Sequence, residues 1–582
     1  MIALRLPAFA CLVLVALLGG IGSRPVVADP PTPGTFAAFT DDYYDALFAW
    51  DPNQATYAGI HDNDHLLADL SAPNFTRRAE ALKKLHERLK TLRAGKLTEA
   101  DTIDAETLDH AIRAELLEIE TIRDWKRNPV LYLSKPAEGI DMLMKRSFAP
   151  PADRLKVVIA RLKVTLPLLT AMKANVENPP KEFTDLGIIV AKGSVGFFRD
   201  DLAMWAKSAA GKDDKLFAEF EAANKPVIEG FEVAAKWLET ELLPKSNGKY
   251  AIGADAFMKK LETEEMLDIP LAKLLAIGEA TLKRDQDLFV ATAKKIDPKR
   301  TPTEVLAILT EDHPKPDDLV AATRGTIERT RKFLLDKKIV TVPSEVRPTI
   351  EETPAFMRTG GFASMDTPGA YEKKATEAFY YVTPPEKEWD VKRKVEHMRM
   401  FNRTTLEILT IHEAYPGHYL QFLYAKQYPT KVRKLYTCGS NVEGWAHYAE
   451  QMIVEEGYGN GDPKVLLAQL SDALLRDCRF VVGIKLHTEG WTVEQGKKFF
   501  IEQGYIEPEG AFQESRRGTY NPTYLYYTLG KLQIYKLRED FKKAKGADFS
   551  LLKFHDDFVR QGGLPIKLIR KIMLPGDTGP TL

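Results

Sequence analysis

Residues 74–92, NFTRRAEALKKLHERLKTL, place Leu82, Leu85, Leu89 and Leu92 three and four positions apart, with charged side chains between them. At 3.6 residues per turn these leucines form one apolar stripe, which predicts an amphipathic helix. Phe39 to Ala49, FTDDYYDALFA, repeats the pattern. Segments 100–123, 152–174, 213–243, 255–296, 303–310 and 317–335 follow it too, punctuated by Pro and Gly clusters at 149–151, 179–180 and 297–302. The expected fold class is mainly α.

Residues 338–385 read differently. KIVTVP (338–343), PAFMRTGGFASM (354–365) and AFYYVTPP (378–385) are rich in β-branched and aromatic residues and broken by Gly and Pro. They predict a small β-sheet. From Glu388 the helical pattern returns and persists to about Val559, with loops expected near 457–463 and 504–523. The expected organisation is a leader at 1–28, an N-terminal helical region at 29–337, and a region at 338–582 that joins the small sheet to further helices. No long polar linker separates the last two, so one continuous unit is expected.

The leader reads as a secretory signal. Arg5 precedes an uncharged apolar run from Leu6 to Gly22, and Val26-Val27-Ala28 offers a cleavage site. Cys11 lies too early for a lipoprotein signal. The mature chain is therefore expected in the periplasm or secreted, without stable membrane association. Lys and Arg total 81 against 82 Asp and Glu, a formal charge of −1. Nucleic acid is not an expected partner, because no cationic surplus exists to displace phosphate counterions. The chain has three cysteines, so a disulfide scaffold is excluded; a Cys438–Cys478 bridge is allowed.

The chemistry gathers in Ile411-His412-Glu413-Ala414-Tyr415-Pro416-Gly417-His418-Tyr419-Leu420-Gln421 and Asn441-Val442-Glu443-Gly444-Trp445-Ala446-His447-Tyr448-Ala449-Glu450. Three of eleven histidines fall within residues 412–447. A zinc-protease helix carries H-E-x-x-H, which sets two imidazoles on one face and a Glu beside the water. Here the second His comes six residues on. Six steps at about 100° leave the rings about 240° apart on an unbroken helix. Pro416 and Gly417 supply the break. A bulge that absorbs Tyr415 and Pro416 leaves H-E-A-G-H and returns both rings to one face. Thr404 and Glu407 form a candidate capping box for the first helix. Thr437-Cys438-Gly439-Ser440 reads as a turn, so a second helix starting near Asn441 can bring Glu443 to the metal as third ligand. His447 and Glu450 follow on its face, placed to orient the ligands. Two histidines, one glutamate and an open position are what a catalytic zinc requires.

H-E-x-x-P-G-H-x-x-Q followed by E-G-W-A-x-Y-x-E resembles a bacterial family known only as a domain of unknown function. That family is similar to the Glu-zincin metallopeptidases, which include thermostable carboxypeptidases, oligopeptidases and angiotensin-converting enzymes. The likeness extends to FTDDYYDALFAWDPNQATYAGIHD, PAFMR, H-T-E-G-W and FHDDFVRQGG. It implies a helical body with a deep cleft, one zinc ion on His412, His418 and Glu443, and Glu413 as general base.

SRRGTYNPTYLYYTLGK (515–531) supplies further candidates. Tyr527, with Tyr524 second, can donate to a tetrahedral oxygen. His487 is the companion donor. Arg516 or Arg517 can clamp a substrate carboxylate. His61-Asp62-Asn63-Asp64-His65 reads as a polar turn, and Gly457 to Gly461 as another. No G-x-S-x-G, no G-x-x-x-x-G-K-[ST] and no Glu-x-x-His occurs, which sets aside serine hydrolase, NTPase and di-iron readings. The expectation is a zinc metallopeptidase acting on oligopeptides. The alternative is a non-catalytic periplasmic peptide-binding protein with a structural metal.

Overall fold

The leucine stripe at 82–92 lies on the helix Ala72–Ala94, which buries Phe75, Leu82 and Leu89 and half-buries Leu85 and Leu92. In this computed structural model residues 34–353, 362–386 and 388–582 are described. The leader at 1–28 and the whole of PAFMRTGG, 354–361, lie outside them. The chain is mainly α-helical with one three-stranded sheet.

Helices between Phe36 and Leu242 enclose one apolar core. The long pattern at 255–296 divides into Ala254–Glu265 and Leu271–Ile296, because Met266 takes a left-handed cap (φ 52) and Pro270 caps the next start. The helices that follow residue 400 build the core around the metal-ligand candidates. Buried Arg433 reaches Asp104 (3.3 Å), and Lys571 reaches Glu106, so the later helices are tied to the first ones by charge.

The sheet has the order β1-β3-β2, with β1 Thr349–Glu352 parallel and β2 Ala363–Asp366 antiparallel to β3 Phe379–Val382. KIVTVP is not one of its strands. Its backbone is taken by side chains instead: His555 bonds Ile339 O (2.8 Å), Asp556 accepts from Thr341 N (2.8 Å), and Tyr424 donates to Thr341 O (2.7 Å). The expected loop at 504–523 contains a helix, Pro508–Tyr520, which Pro508 opens at a position where no backbone donor is needed. No described helix is long and apolar enough to cross a membrane.

Candidate metal centre

Five of the described helices meet at the centre: Arg403–Glu413, His418–Leu423, Gly439–Glu455, Pro463–Thr488 and Tyr526–Lys545. The first is capped by Asn402, whose side chain accepts from Thr405 N (3.0 Å). The proposed Thr404–Glu407 capping box is therefore displaced. Thr404 donates to Asn402 Oδ1 (2.8 Å), and Glu407 pairs with Arg329 (2.7 Å).

The helix ends after Glu413, and a new one runs from His418 to Leu423. Between them the Tyr415–Pro416 peptide is cis, and Gly417 N donates back to Ile411 O (2.9 Å). A Cβ on Gly417 would stand 1.7 Å from His412 O, so only glycine fits this fold-back. Trp445 Nε1 holds the break by donating to Pro416 O (2.8 Å). Gln421 donates to Asn441 Oδ1 (2.7 Å), and Asn441 donates to Gly562 O (3.0 Å) and Leu564 O (2.7 Å).

The helix carrying Glu443 starts at Gly439, two residues before the position expected from sequence. Glu265 accepts from Ser440 N (3.1 Å), a carboxylate placed at the helix's positive end. Cys438 lies against the same carboxylate. Cys438 and Cys478 are both buried and free, so the allowed bridge does not form. Gly444 and Gly530 meet where this helix crosses Tyr526–Lys545. A Cβ on Gly530 would lie 1.8 Å from Ser440 O, and one on Gly444 would lie 2.4 Å from Gly530 Cα. This close crossing sets Tyr527 beside Glu443.

His412, His418 and Glu443 each aim one donor atom inward, and the three atoms lie within 4.8 Å of one another. His412 Nε2 is 3.5 Å and His418 Nε2 3.4 Å from Glu443 Oε2. Those separations are close to the ~3.3 Å edge of a tetrahedron with ~2.0–2.1 Å metal bonds. Glu443 Oε2 has no hydrogen-bond partner, although it is shielded from solvent. An orphaned oxygen between two imidazole nitrogens fits a cation, and the N₂O donor set suits zinc.

The surroundings orient these groups. Glu450, fully buried, faces His412 Nδ1 (2.6 Å), Arg476 (3.2 Å) and His447 Nδ1 (3.0 Å). Burial alone would push the Glu450 carboxyl up, but Arg476, His447 and His412 hold it well below the usual range. Burial pushes His447 down to about 3, so it is neutral and its Nδ1–H donates to Glu450. Burial also acts against a charged His412, but Glu443 and Glu450 outweigh it and push it up to about 10. Glu413 is 7% exposed, and its side chain forms no hydrogen bond or ion pair with the described residues. Its carboxylate is free for a substrate or water.

Tyr527 donates to Glu443 Oε1 (3.1 Å) and accepts from Arg517 (3.2 Å). Burial and Glu443 raise its phenol, so it stays protonated. Tyr527 and Arg517 thus join the four residues of the centre. Three other candidates do not. His487 lies eleven residues beyond Arg476 on one helix, about 16 Å along its axis at 1.5 Å per residue. Its Nε2 bonds Gly518 O (2.7 Å), and it lines a cavity of about 280 Å³ with Lys260 and Glu264. Tyr524 is buried against Gly483 and Gly518. Arg516 donates to Gln513 (2.6 Å) and stands over Phe512. Arg476 and Arg479 went unnoticed in the sequence. Their signal was two arginines, with Asp477 between them, inside the otherwise apolar run ALLRDCRFVVGI. The His61 turn is tied to Asp64 (2.8 Å) and Glu372 (3.0 Å), as a polar turn.

A solved structure from Shewanella oneidensis, described as a candidate lipoprotein of unknown function, has a TM-score of 0.78 at 28% identity. It covers 93% of this chain and 100% of that one. A second candidate lipoprotein, from Colwellia psychrerythraea, has a TM-score of 0.78 at 19% identity, covering 92% of this chain and 98% of that one, and is alike in fold. No curated protein matches the chain. Residues 52–573 match the family described as bacterial protein of unknown function, DUF885, and the chain belongs to that family.

Proposed function

We propose that the chain is an extracytoplasmic, zinc-dependent metallopeptidase that hydrolyses peptide bonds in oligopeptides. One observation carries the reading: three inward donor atoms of His412, His418 and Glu443 lie within 4.8 Å, and Glu413, which follows His412 in the chain, has a carboxylate with no partner among the described residues. The resemblance of the motif to Glu-zincin metallopeptidases supports it. The apolar leader and the description of both structural neighbours as lipoproteins support the location.

His412, His418 and Glu443 would hold one zinc ion. When bound, zinc supplies a Lewis acid that polarises a carbonyl and acidifies water. Glu413 takes the proton of the attacking water and passes it to the leaving amine. The Tyr527 hydroxyl has one proton, which goes to Glu443 Oε1 here, and by turning it from that carboxylate it can donate to the oxygen that gains charge. Glu450 holds a proton on His412 Nδ1, so Nε2 is the nitrogen that would give up its proton and offer its lone pair to the ion.

The test is metal analysis combined with a peptide-library digest, for the wild type and Glu413→Gln. One transition metal per chain is expected in both proteins, with cleavage only by the wild type. Equal cleavage by both refutes Glu413 as base. Metal without cleavage of any peptide by either protein replaces this reading with a periplasmic peptide-binding protein that keeps a structural ion.

A further inference from the structure

We propose that Arg517 recognises the C-terminal carboxylate of the peptide, so that the bond cut lies one or two residues from that end. The proposal rests on the peptidase reading and narrows its substrate class.

Three guanidiniums surround the Tyr527 ring, Arg479 at 5.0 Å, Arg476 at 5.6 Å and Arg517 at 6.0 Å from its centroid. Two are already committed. Arg479 closes both arms of its fork on Glu514 (2.7 and 2.7 Å). Arg476 is held by Glu450 (3.2 Å) and Asp472 (3.3 Å). Arg517 has no carboxylate within ion-pair distance among the described residues. Among those residues its one side-chain bond is from Nη2 to the Tyr527 hydroxyl. It is half-buried in the last turn of Pro508–Tyr520. A charge withdrawn from water without a counterion is costly, and a substrate carboxylate is the group that matches a planar guanidinium fork.

Its position sets the reach. Arg517 is linked to the ligand Glu443 by two successive hydrogen bonds, 3.2 and 3.1 Å long, through Tyr527. Extended peptide advances about 3.5 Å per residue. A carboxylate on Arg517 therefore leaves room for about one or two residues before the metal ligands. An internal segment of a long peptide has no carboxylate at that distance unless an acidic side chain supplies it.

The experiment uses the zinc-loaded protein and three versions of one peptide: free C-terminal acid, C-terminal amide, and amide ending in Glu. The expected result is release of one or two C-terminal residues from the free acid, with kcat/KM about 10- to 100-fold above either amide, as a charge-assisted bond implies. Arg517→Ala brings the acid-to-amide ratio close to one, chiefly through KM, and Arg517→Lys restores part of it. Calorimetry on Glu413→Gln, with and without Arg517→Ala, reads the same preference as binding alone. Equal use of acid and amide by the wild type overturns the proposal and leaves the peptidase reading standing. So does cleavage of the Glu-ended amide as fast as the acid, which assigns Arg517 to a side chain. A preference that survives Arg517→Ala in a folded, zinc-loaded variant also overturns it. No cleavage of any peptide ends the peptidase reading itself, and an absent acid preference in the calorimetry then removes the Arg517 assignment as well.

Discussion

Glu450 Oε1 lies 2.6 Å from Nδ1 of His412, on the side of the ring away from Glu443. The bond keeps a proton on Nδ1, and the other oxygen of Glu450 is engaged by His447. The orientation of a metal-ligand candidate therefore depends on a carboxylate 38 residues further along the chain.

Weakening that carboxylate should weaken the metal site without unfolding the protein. Glu450→Gln keeps the shape and one acceptor but removes the charge. A loss of about 10- to 100-fold in zinc affinity is expected, read by competition with a chelating dye. Unchanged affinity would show that Glu450 serves packing alone.

The Gly444–Gly530 crossing should tolerate no added methyl group. Gly530→Ala drives a Cβ against Ser440 O and forces apart the helices that carry Glu443 and Tyr527. Overpacking of this kind costs about 1–3 kcal/mol. Urea unfolding should move to lower midpoints, and zinc affinity should fall with it.

Buried histidines should make the fold acid-sensitive. Burial pushes His487 and His555 down to about 4, against the help of carbonyl acceptors. Unfolding lets both rings bind protons below about 6.5, so the unfolded chain holds more protons between about pH 4 and 6.5. Stability therefore rises with pH through that window and is lost as pH falls through it. Each ring contributes on the order of 3 kcal/mol across it. Urea midpoints taken across that window should fall less steeply for His555→Gln than for the wild type.

Metal removal should be visible as stability. An ion held only by the native chain, supplied at about 1,000 times its dissociation constant, adds about 4 kcal/mol. Zinc should raise the melting temperature of chelator-stripped protein. His418→Ala, which deletes one donor, should abolish the rise.

The fold was legible wherever burial follows periodicity. Leu82 and Leu89 announced their helix because an apolar stripe has only one way to reach the core. KIVTVP misled for the same reason. Ile339 and Val340 are buried as a strand's residues would be, but the backbone partners come from Asp556, Tyr424 and His555, more than 80 residues away. At the centre, Pro416 and Gly417 announced a break, because two imidazoles six residues apart can share a face only if the helix fails between them. His487, Tyr524 and Arg516 failed as candidates because residue type and nearness in sequence do not specify direction. Arg516 and Arg517 are neighbours, yet one faces Gln513 and the other Tyr527. Arg476 was hidden in an apolar run, where its value depends on Glu450 and Asp472 and not on its own neighbours.

Asn441 joins the start of the Glu443 helix to Gly562 and Leu564, and Cys438 N adds a bond to Gly563 O (2.8 Å). These acceptors are made more than a hundred residues after the asparagine. During synthesis, then, a nascent chain that already contains His412, His418 and Glu443 still lacks the clasp that seats them. The order of the chain therefore places the clasp after the residues it seats, and their arrangement cannot be completed before residues 562–564 are in place.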